Sequence, residues 1–392
     1  MADIPLSERH FPSGLNSDFI GGDGDFADYI ELMKSRIQQA RDHLGATNSA
    51  HIVEGNSPFQ LKPQNFKVGR NHSYQRGIFL IHGLSDSPYF MRALGDFFAA
   101  EGFRVMAILL PGHGTQAGDL LTIKTESWEA AVAYGCQELA KEVDEIYLGG
   151  FSAGGALSVL QSLKDERVSG LFLFAPALKI SAKARFAWLH RLIDWFNPSA
   201  KWLNLHRDED RYKYESFPKN AVTQMWRLTQ KVRQQLSTQH LAIPIFAAAS
   251  ADDATVDASA IAAFMADCPH PLNHLVWYDA AGKPPAAHLE SKQIDVMPSV
   301  ISAAGILGSA HTAIVLADDD AEYSLQGRYL NCLHYFPQDM ARFQACKSNP
   351  SNLQRGEITP QNLQVDLLAR LMVNPHFSAL KISLQRFIET LP

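Results

Sequence analysis

The sequence predicts an α/β architecture: a mostly parallel sheet covered by helices on both faces, with a helical cap. Three observations carry this reading. Between residues 77 and 176, short runs that are apolar throughout alternate with amphipathic helical stretches. A strand without a polar face is buried on both sides, as parallel strands are. Gly150-Phe151-Ser152-Ala153-Gly154 stands between one such run and an apolar helix. The alternation then stops over residues 178–240, which are rich in aromatics, and resumes beyond them.

The elements follow in order. Residues 1–24, rich in Gly, Ser and Asp, read as an irregular arm. Phe26, Tyr29, Ile30, Met33, Ile37 and Leu44 recur at helical spacing, which predicts a helix with one face packed on the main body. GIFLI (77–81) reads as a buried strand, residues 89–100 as a helix and FRVMAILL (103–110) as a second strand. A helix over 126–141 presents Ala130, Ala133, Tyr134 and Leu139. EIYLGG (145–150), a helix over 153–163 and VSGLFLFAP (168–176) follow. Residues 178–240 carry Trp188, Trp195, Phe196, Trp202, Tyr212, Tyr214 and Trp226 in helical sequence. IPIFAAAS (243–250), a helix near 256–266 and HLVWYD (274–279) resume the pattern. A Pro- and Ala-rich stretch precedes AIVL (313–316), and a helix over 377–391 closes the chain. The expected organisation is therefore an arm and helix (1–75), a first part of the core (76–177), a helical cap (178–240) and a second part (241–392). That last part carries an insertion at 280–308 and a C-terminal extension.

Composition narrows the function. The chain has 392 residues, 46% of them apolar and 19% charged, which supplies a core and excludes a disordered chain. The net charge of −6 argues against a nucleic-acid partner. No apolar run approaches the roughly 18–20 residues that span a bilayer, so no integral membrane segment is expected. The opening MADIPLSERHFPSG lacks a basic stretch followed by an apolar one, so no secretory signal and a cytoplasmic location are expected. The four cysteines, Cys136, Cys268, Cys332 and Cys346, form no CxxC pair and read as thiols in a reducing compartment. Cys332 and Cys346 are the two that could pair in an exported protein. No metal-ligand motif such as HExxH is present, the acidic run Asp318–Asp320 reads as a solvated loop, and no cofactor is expected.

The chemistry centres on Ser152. A nucleophile on a sharp strand-to-helix turn needs small neighbours because the backbones approach closely there, and Gly149, Gly150, Gly154 and Gly155 supply that room. The helix after it points unpaired N–H groups at the serine oxygen. An acyl-transfer enzyme also needs two N–H donors for the developing oxyanion. Ala153, after the nucleophile, and Leu84, in the loop after the first strand, stand in those places. His82 reads as a histidine bracing that loop. The order serine, acid, histidine then directs attention downstream. Asp252 and Asp253 both follow IPIFAAAS; Asp253 is preferred because the loop must leave the strand before turning its acid. Among His288, His311, His334 and His376, His311 is preferred, since Gly308-Ser309-Ala310-His311-Thr312 is a loop of small residues.

These stretches resemble the α/β-hydrolase superfamily, and within it the carboxylesterase and monoacylglycerol-lipase branch. The resemblance rests on GIFLIHGLSDSP (77–88), LLPGHGTQAGDL (109–120), GGFSAGG (149–155), SADDATV (250–256) and SAHTAIVL (309–316). It implies the α/β-hydrolase fold, Ser152 as nucleophile, Asp253 as acid, His311 as base, and a cap over the active site formed by 178–240. Two departures stand out: Ser250 where the family has glycine three residues before the acid, and a long stretch before the histidine. The implied activity is hydrolysis of a small-molecule ester with an apolar acyl group. Acyltransfer, thioester cleavage and peptide hydrolysis are the alternatives within the same triad. A non-catalytic binding protein is the alternative outside it. Oligomeric state is not legible.

Overall fold

The computed structural model describes the chain except residues 1–4, 22–23, 46–49, 181–197, 288, 290–292 and 349–352. Trp188, Trp195, Phe196 and His288 therefore lie outside the described residues. The chain divides into two compact units. One comprises Ile4–Leu171 and Ile180–Gln239; the other contains Phe172–Lys179 and His240–Pro392.

The first unit opens with the arm, then α1 (Phe26–His43), α2 (Ala50–Asn56) and β1 (Phe59–Leu61). Asp25 starts α1 by accepting the Ala27 and Asp28 N–H groups at 2.8 and 3.0 Å. Of the expected stripe, Phe26, Tyr29, Ile30, Met33 and Ile37 form the buried face, whereas Leu44 follows the helix and is half-buried; Tyr29 donates its hydroxyl to the Leu109 carbonyl at 2.8 Å. Next come β2 (Tyr74–Ile81), α3 (Arg92–Ala100), β3 (Arg104–Ile108), α4 (Thr125–Ala140), β4 (Val143–Phe151), α5 (Ala153–Ser162) and β5 (Val168–Phe174), whose last residues pass into the second unit. The strands of this unit run in the order β1-β3-β2-β4, with β2 parallel to both β3 and β4. Residues 78–81 and all of β3 are buried, as strands covered on both faces must be. Residues 1–75 give the sheet more than a helix: β1 pairs antiparallel with β3, Phe59 opposite Ala107.

Two expectations are corrected here. The buried face of α4 is Trp128, Ala131, Val132, Cys136 and Leu139, whereas Ala130 is exposed. Both stripes fit a helical period, and the one that buries the indole wins because it removes the most apolar surface from water. The described part of the cap is not wholly helical. It holds a short antiparallel ribbon, β6 (Trp202–Asn204) with β7 (Phe217–Pro218), and a single long helix, α6 (Lys219–Leu236). Pro218, which lacks an N–H, ends the ribbon and precedes the helix. Polar anchors seat α6: Asn220 donates to the Leu120 and Ile123 carbonyls at 3.0 Å each. The Gln224 side chain accepts the Thr125 N–H at 3.1 Å.

The second unit contains β8 (Ile245–Ser250), α7 (Ala258–Asp267), β9 (His274–Asp279), β10 (Ile294–Pro298), α8 (Met340–Ser348), β11 (Gln354–Gly356), β12 (Leu368–Arg370) and α9 (Phe377–Thr390). β8, β9 and β10 are parallel neighbours. The stretch 280–308 is thus not a pure insertion, because β10 extends the sheet with Asp295 opposite Val276. AIVL forms a buried turn rather than a strand. Asn374, fully buried, donates to the Ile314 carbonyl at 3.1 Å, and its N–H meets the Leu316 carbonyl at 2.9 Å. Its loop supplies the partners a strand neighbour would have given.

The extension is a small layer of its own. β11 and β12 pair in parallel, and Cys332, Tyr335, Cys346, Leu353 and Ala369 form a buried cluster beside them. Cys332 and Cys346 are bonded as a disulfide, their Cα atoms 6.1 Å apart. This corrects the expectation of four reduced thiols, and with it the compartment argument behind a cytoplasmic location, since reducing compartments do not favour such bonds. Cys136 and Cys268 are free and buried, and burial pushes both thiols up, to about 12 and about 11. No described helix is long and apolar enough to cross a membrane. Replacing both Cys332 and Cys346 by serine removes a bridge across 14 residues of sequence. The expected loss is about 3 kcal/mol of unfolding free energy by the chain-entropy relation. Denaturant midpoints of parent and variant check it; equal midpoints would show the bridge contributes nothing.

Candidate active site

The local chain geometry at Ser152 is unusual. It joins the end of β4 to the start of α5 at φ 53° and ψ −111°, a region that L-residues with side chains avoid. Its neighbours explain how the turn closes. A Cβ on Gly150 would lie 2.3 Å from the Gly154 carbonyl carbon, and one on Gly154 would lie 2.0 Å from the Ile81 oxygen. Only glycine fits at either place. The second contact also brings the first turn of α5 against the end of β2, so the segments bearing the Ala153 and Leu84 N–H groups adjoin.

The loop after β2 is held from three directions. Ser85 lies at φ 67°. Its N–H donates to His113 Nε2 at 3.0 Å, and its carbonyl accepts the Tyr214 N–H at 2.8 Å. Asp86, almost completely buried, is paired with Lys213. His82 Nε2 accepts the Leu110 N–H at 3.0 Å, so its Nδ1 carries the proton and donates to the Gly83 carbonyl at 2.8 Å. His113 is protonated the same way, donating from Nδ1 to the Pro111 carbonyl at 3.0 Å. Each histidine therefore ties the other's loop to its own, with ring centroids 4.9 Å apart. Burial pushes both below the usual imidazole range, His82 well below and His113 to about 4. The arm supports the second loop: Asn16 donates to the Leu110 and His113 carbonyls at 3.2 and 2.8 Å. Ser13 donates its N–H to the fully buried Asp119 at 2.7 Å.

In the second unit, the acid and base candidates meet. His311 Nδ1 lies 2.6 Å from Asp253 Oδ2, with both side chains almost completely buried. The Thr255 and Val256 N–H groups donate to Asp253 Oδ1 at 2.7 and 2.9 Å. Burial works to raise the Asp253 carboxyl, but His311 and the two amides outweigh it and hold it below the usual range. With Nδ1–H given to Asp253, the lone pair of the imidazole sits on Nε2. Asp252 turns elsewhere. Its Oδ2 accepts the Ser309 N–H at 3.1 Å and the Ser299 hydroxyl at 2.5 Å, and burial raises its carboxyl. The Ser250 hydroxyl donates to the Ser309 carbonyl at 2.9 Å and ties the Asp253 loop to the His311 loop. Of the other histidines, His334 packs on Tyr335 and His376 faces the Pro298 carbonyl; neither meets Asp253.

Sequence reasoning left several supporting residues without a role. His113 stands in the quoted Pro-Gly-His-Gly-Thr turn, so a histidine in a motif was the available signal. Lys213 had none, since a charged residue in irregular sequence reads as solvated surface.

Comparison with known proteins adds the following. A family model described as serine aminopeptidase, S33 matches residues 73–282, more than half of the chain. The thermostable monoacylglycerol lipase of Bacillus sp. (strain H-257) is 27% identical over 164 residues, 41% of this chain and 64% of that enzyme. The chain thus spans just under two thirds of that relative. A solved structure of the metagenome-derived lipolytic enzymes LipS and LipT is 23% identical, covering 57% of this chain and 87% of its own, with a TM-score of 0.47. A monoacylglycerol lipase from Paleococcus ferrophilus is 16% identical, covering 57% and 88%, with a TM-score of 0.42.

The neutral buried histidines set a pH dependence. In the unfolded chain His113 takes up a proton near pH 6.5; folded, it does so only near 4. Its contribution is therefore fully present above about pH 6.5 and is lost as pH falls toward 4. Between pH 7 and pH 5 the parent should lose about 2 kcal/mol more than His113→Gln in denaturant unfolding. An equal loss in both proteins would mean that His113 is not the neutral, buried group described.

Proposed function

The chain belongs to the serine aminopeptidase S33 family, and on that premise we propose that it is a serine-dependent hydrolase of carboxylic esters with an apolar acyl part. The observation that carries the proposal is Ser152 at a positive φ on a glycine-flanked strand-to-helix turn. Strain of this kind persists where a side chain must be presented at a fixed angle. The Asp253–His311 pair supports it, as does the similarity to a monoacylglycerol lipase.

The proposed steps use only these residues. His311 Nε2 takes the proton from the Ser152 hydroxyl as Oγ bonds to the ester carbonyl carbon. Asp253 keeps Nδ1 protonated and stabilises the imidazolium. The Leu84 and Ala153 N–H groups receive the negative charge on the carbonyl oxygen. The C–O bond to the leaving alcohol then breaks, and the imidazolium protonates that oxygen. Water enters, gives a proton to Nε2, attacks the acyl carbon and releases the acid, and Ser152 Oγ recovers its proton.

Four measurements test this. A fluorophosphonate should label Ser152 in the folded protein, and an unlabelled serine would end the hydrolase reading. Ser152→Ala should lower turnover of p-nitrophenyl esters by about 10⁴-fold or more. Asp253→Asn should cost about 10³–10⁴-fold, and Asp252→Asn far less; the reverse ranking would move the acid. A substrate panel from short acyl esters to monoacylglycerols and aminoacyl anilides separates esterase from peptidase. Faster turnover of the anilides would replace the ester proposal with the activity named in the family's description.

A further inference from the structure

Resting on that reading of His311 and Asp253, we propose that Glu357 and Arg370, in the C-terminal extension, are positioning residues that lock the acid and base loops into one register. Neither lies in the segment matched by the family model.

Glu357 follows β11 and is 1% exposed. Its Oε2 accepts the backbone N–H of His311 at 2.9 Å, Arg370 Nη2 at 2.9 Å and, more weakly, the Ala254 N–H at 3.4 Å. One carboxylate oxygen thus touches the base's own backbone and that of the residue after the acid. Its Oε1 accepts the Ile358 N–H at 2.8 Å, which fixes the plane of the carboxylate. Arg370 donates a further bond to the Thr255 hydroxyl at 2.7 Å, and Thr255 supplies one of the two amides on Asp253. The bonds close a circuit: Arg370 to Thr255, Thr255 to Asp253, Asp253 to His311, His311 to Glu357, and Glu357 back to Arg370.

The ribbon makes the circuit stiff. Gly356 pairs with Arg370 across β11 and β12, which brings Glu357 and Arg370 side by side. Arg355 exchanges backbone bonds with the chain leading to the base, its N–H to the Gly305 carbonyl at 2.9 Å and its carbonyl from the Leu307 N–H at 2.8 Å. On the other side, Leu368 N–H meets the Tyr335 hydroxyl at 3.0 Å and Arg370 N–H meets the Asn331 carbonyl at 2.8 Å, both within the disulfide-bonded layer. The carboxylate beside the ribbon is buried and bonds to both loops, that of Asp253 and that of His311. A misplacement of about 1 Å in such a group can cost about 10²-fold in rate.

The pair also fixes charge. Among the described residues, Asp253 and Asp252 lie on these two loops and Glu357 and Arg370 bond to them, with Asp279 beyond Asp252 and His334 near Arg370. Glu357 and Arg370 carry opposite charges and are paired with each other. Removing only the carboxylate leaves a cation, which disfavours the imidazolium; removing only the guanidinium leaves an anion, which favours it. A role confined to stability would not produce opposite shifts.

The test compares the parent with Glu357→Ala, Glu357→Gln and Arg370→Gln, using p-nitrophenyl ester hydrolysis across pH and fluorophosphonate labelling of Ser152. Glu357→Ala should lower kcat by about 10²-fold with little change in KM. Glu357→Gln, which keeps an acceptor, should recover part of the loss. The acid limb of kcat/KM should move down in pH for Glu357→Gln and up for Arg370→Gln. If Glu357→Ala does not fold, the opposite shifts of the other two variants still decide. A parent active on esters whose variants keep kcat and the acid limb unchanged would overturn the clamp. A parent that neither labels nor turns over esters would overturn the functional reading itself, and the clamp with it.

Discussion

A serine held at positive φ is the constraint from which the rest of the arrangement follows. Such a backbone costs on the order of 1–3 kcal/mol and survives only where its surroundings leave no alternative. At Ser152 the surroundings are Gly150 and Gly154, each pressed within bond-like distance of neighbouring backbone if it bore a Cβ. Ser85 repeats the pattern on the next loop, with its N–H fixed by His113 and its carbonyl by Tyr214. The two strained residues mark where the backbone has been bent to face something, and two neutral imidazoles keep the second bend from relaxing.

The additions to the core share one habit. The arm bonds to the turn around Leu110 and His113. The cap bonds to Ser85 and Asp86. The extension bonds to Ala254 and His311. Each reaches a loop at a strand end with a buried polar group, where an unmet partner costs about 1–3 kcal/mol. Loops are the least rigid parts of a domain, and polar contacts of this kind hold them without requiring a further hydrophobic layer.

Much of this was legible in the sequence, for definite reasons. β9 and α9 announce themselves because burial on both faces, or on one helical stripe, leaves an unbroken apolar signature. Ser152 was legible because steric crowding dictates glycine on either side. The face of α4 was not, because two stripes satisfied one period and only packing chose Trp128. β10 was hidden by its position at an edge, where Asp295 can be polar since it meets His274 and Ser383. The Cys332–Cys346 bond was open because sequence spacing does not report Cα separation. Glu357 was invisible for the deepest reason: nothing local distinguishes a carboxylate that faces water from one that meets three N–H donors brought from distant parts of the chain.

The Lys213–Asp86 pair has a consequence for how this protein can change over time. Asp86 is buried and its counter-charge comes from a residue 127 positions away. Losing Lys213 alone strands the Asp86 charge in the interior at a cost of about 3–5 kcal/mol, whereas exchanging both for apolar residues can be nearly neutral. The two positions are therefore inherited as one character: across descendants of this chain they should covary, and the viable route between the two forms passes through a double substitution or a third residue that bridges the gap.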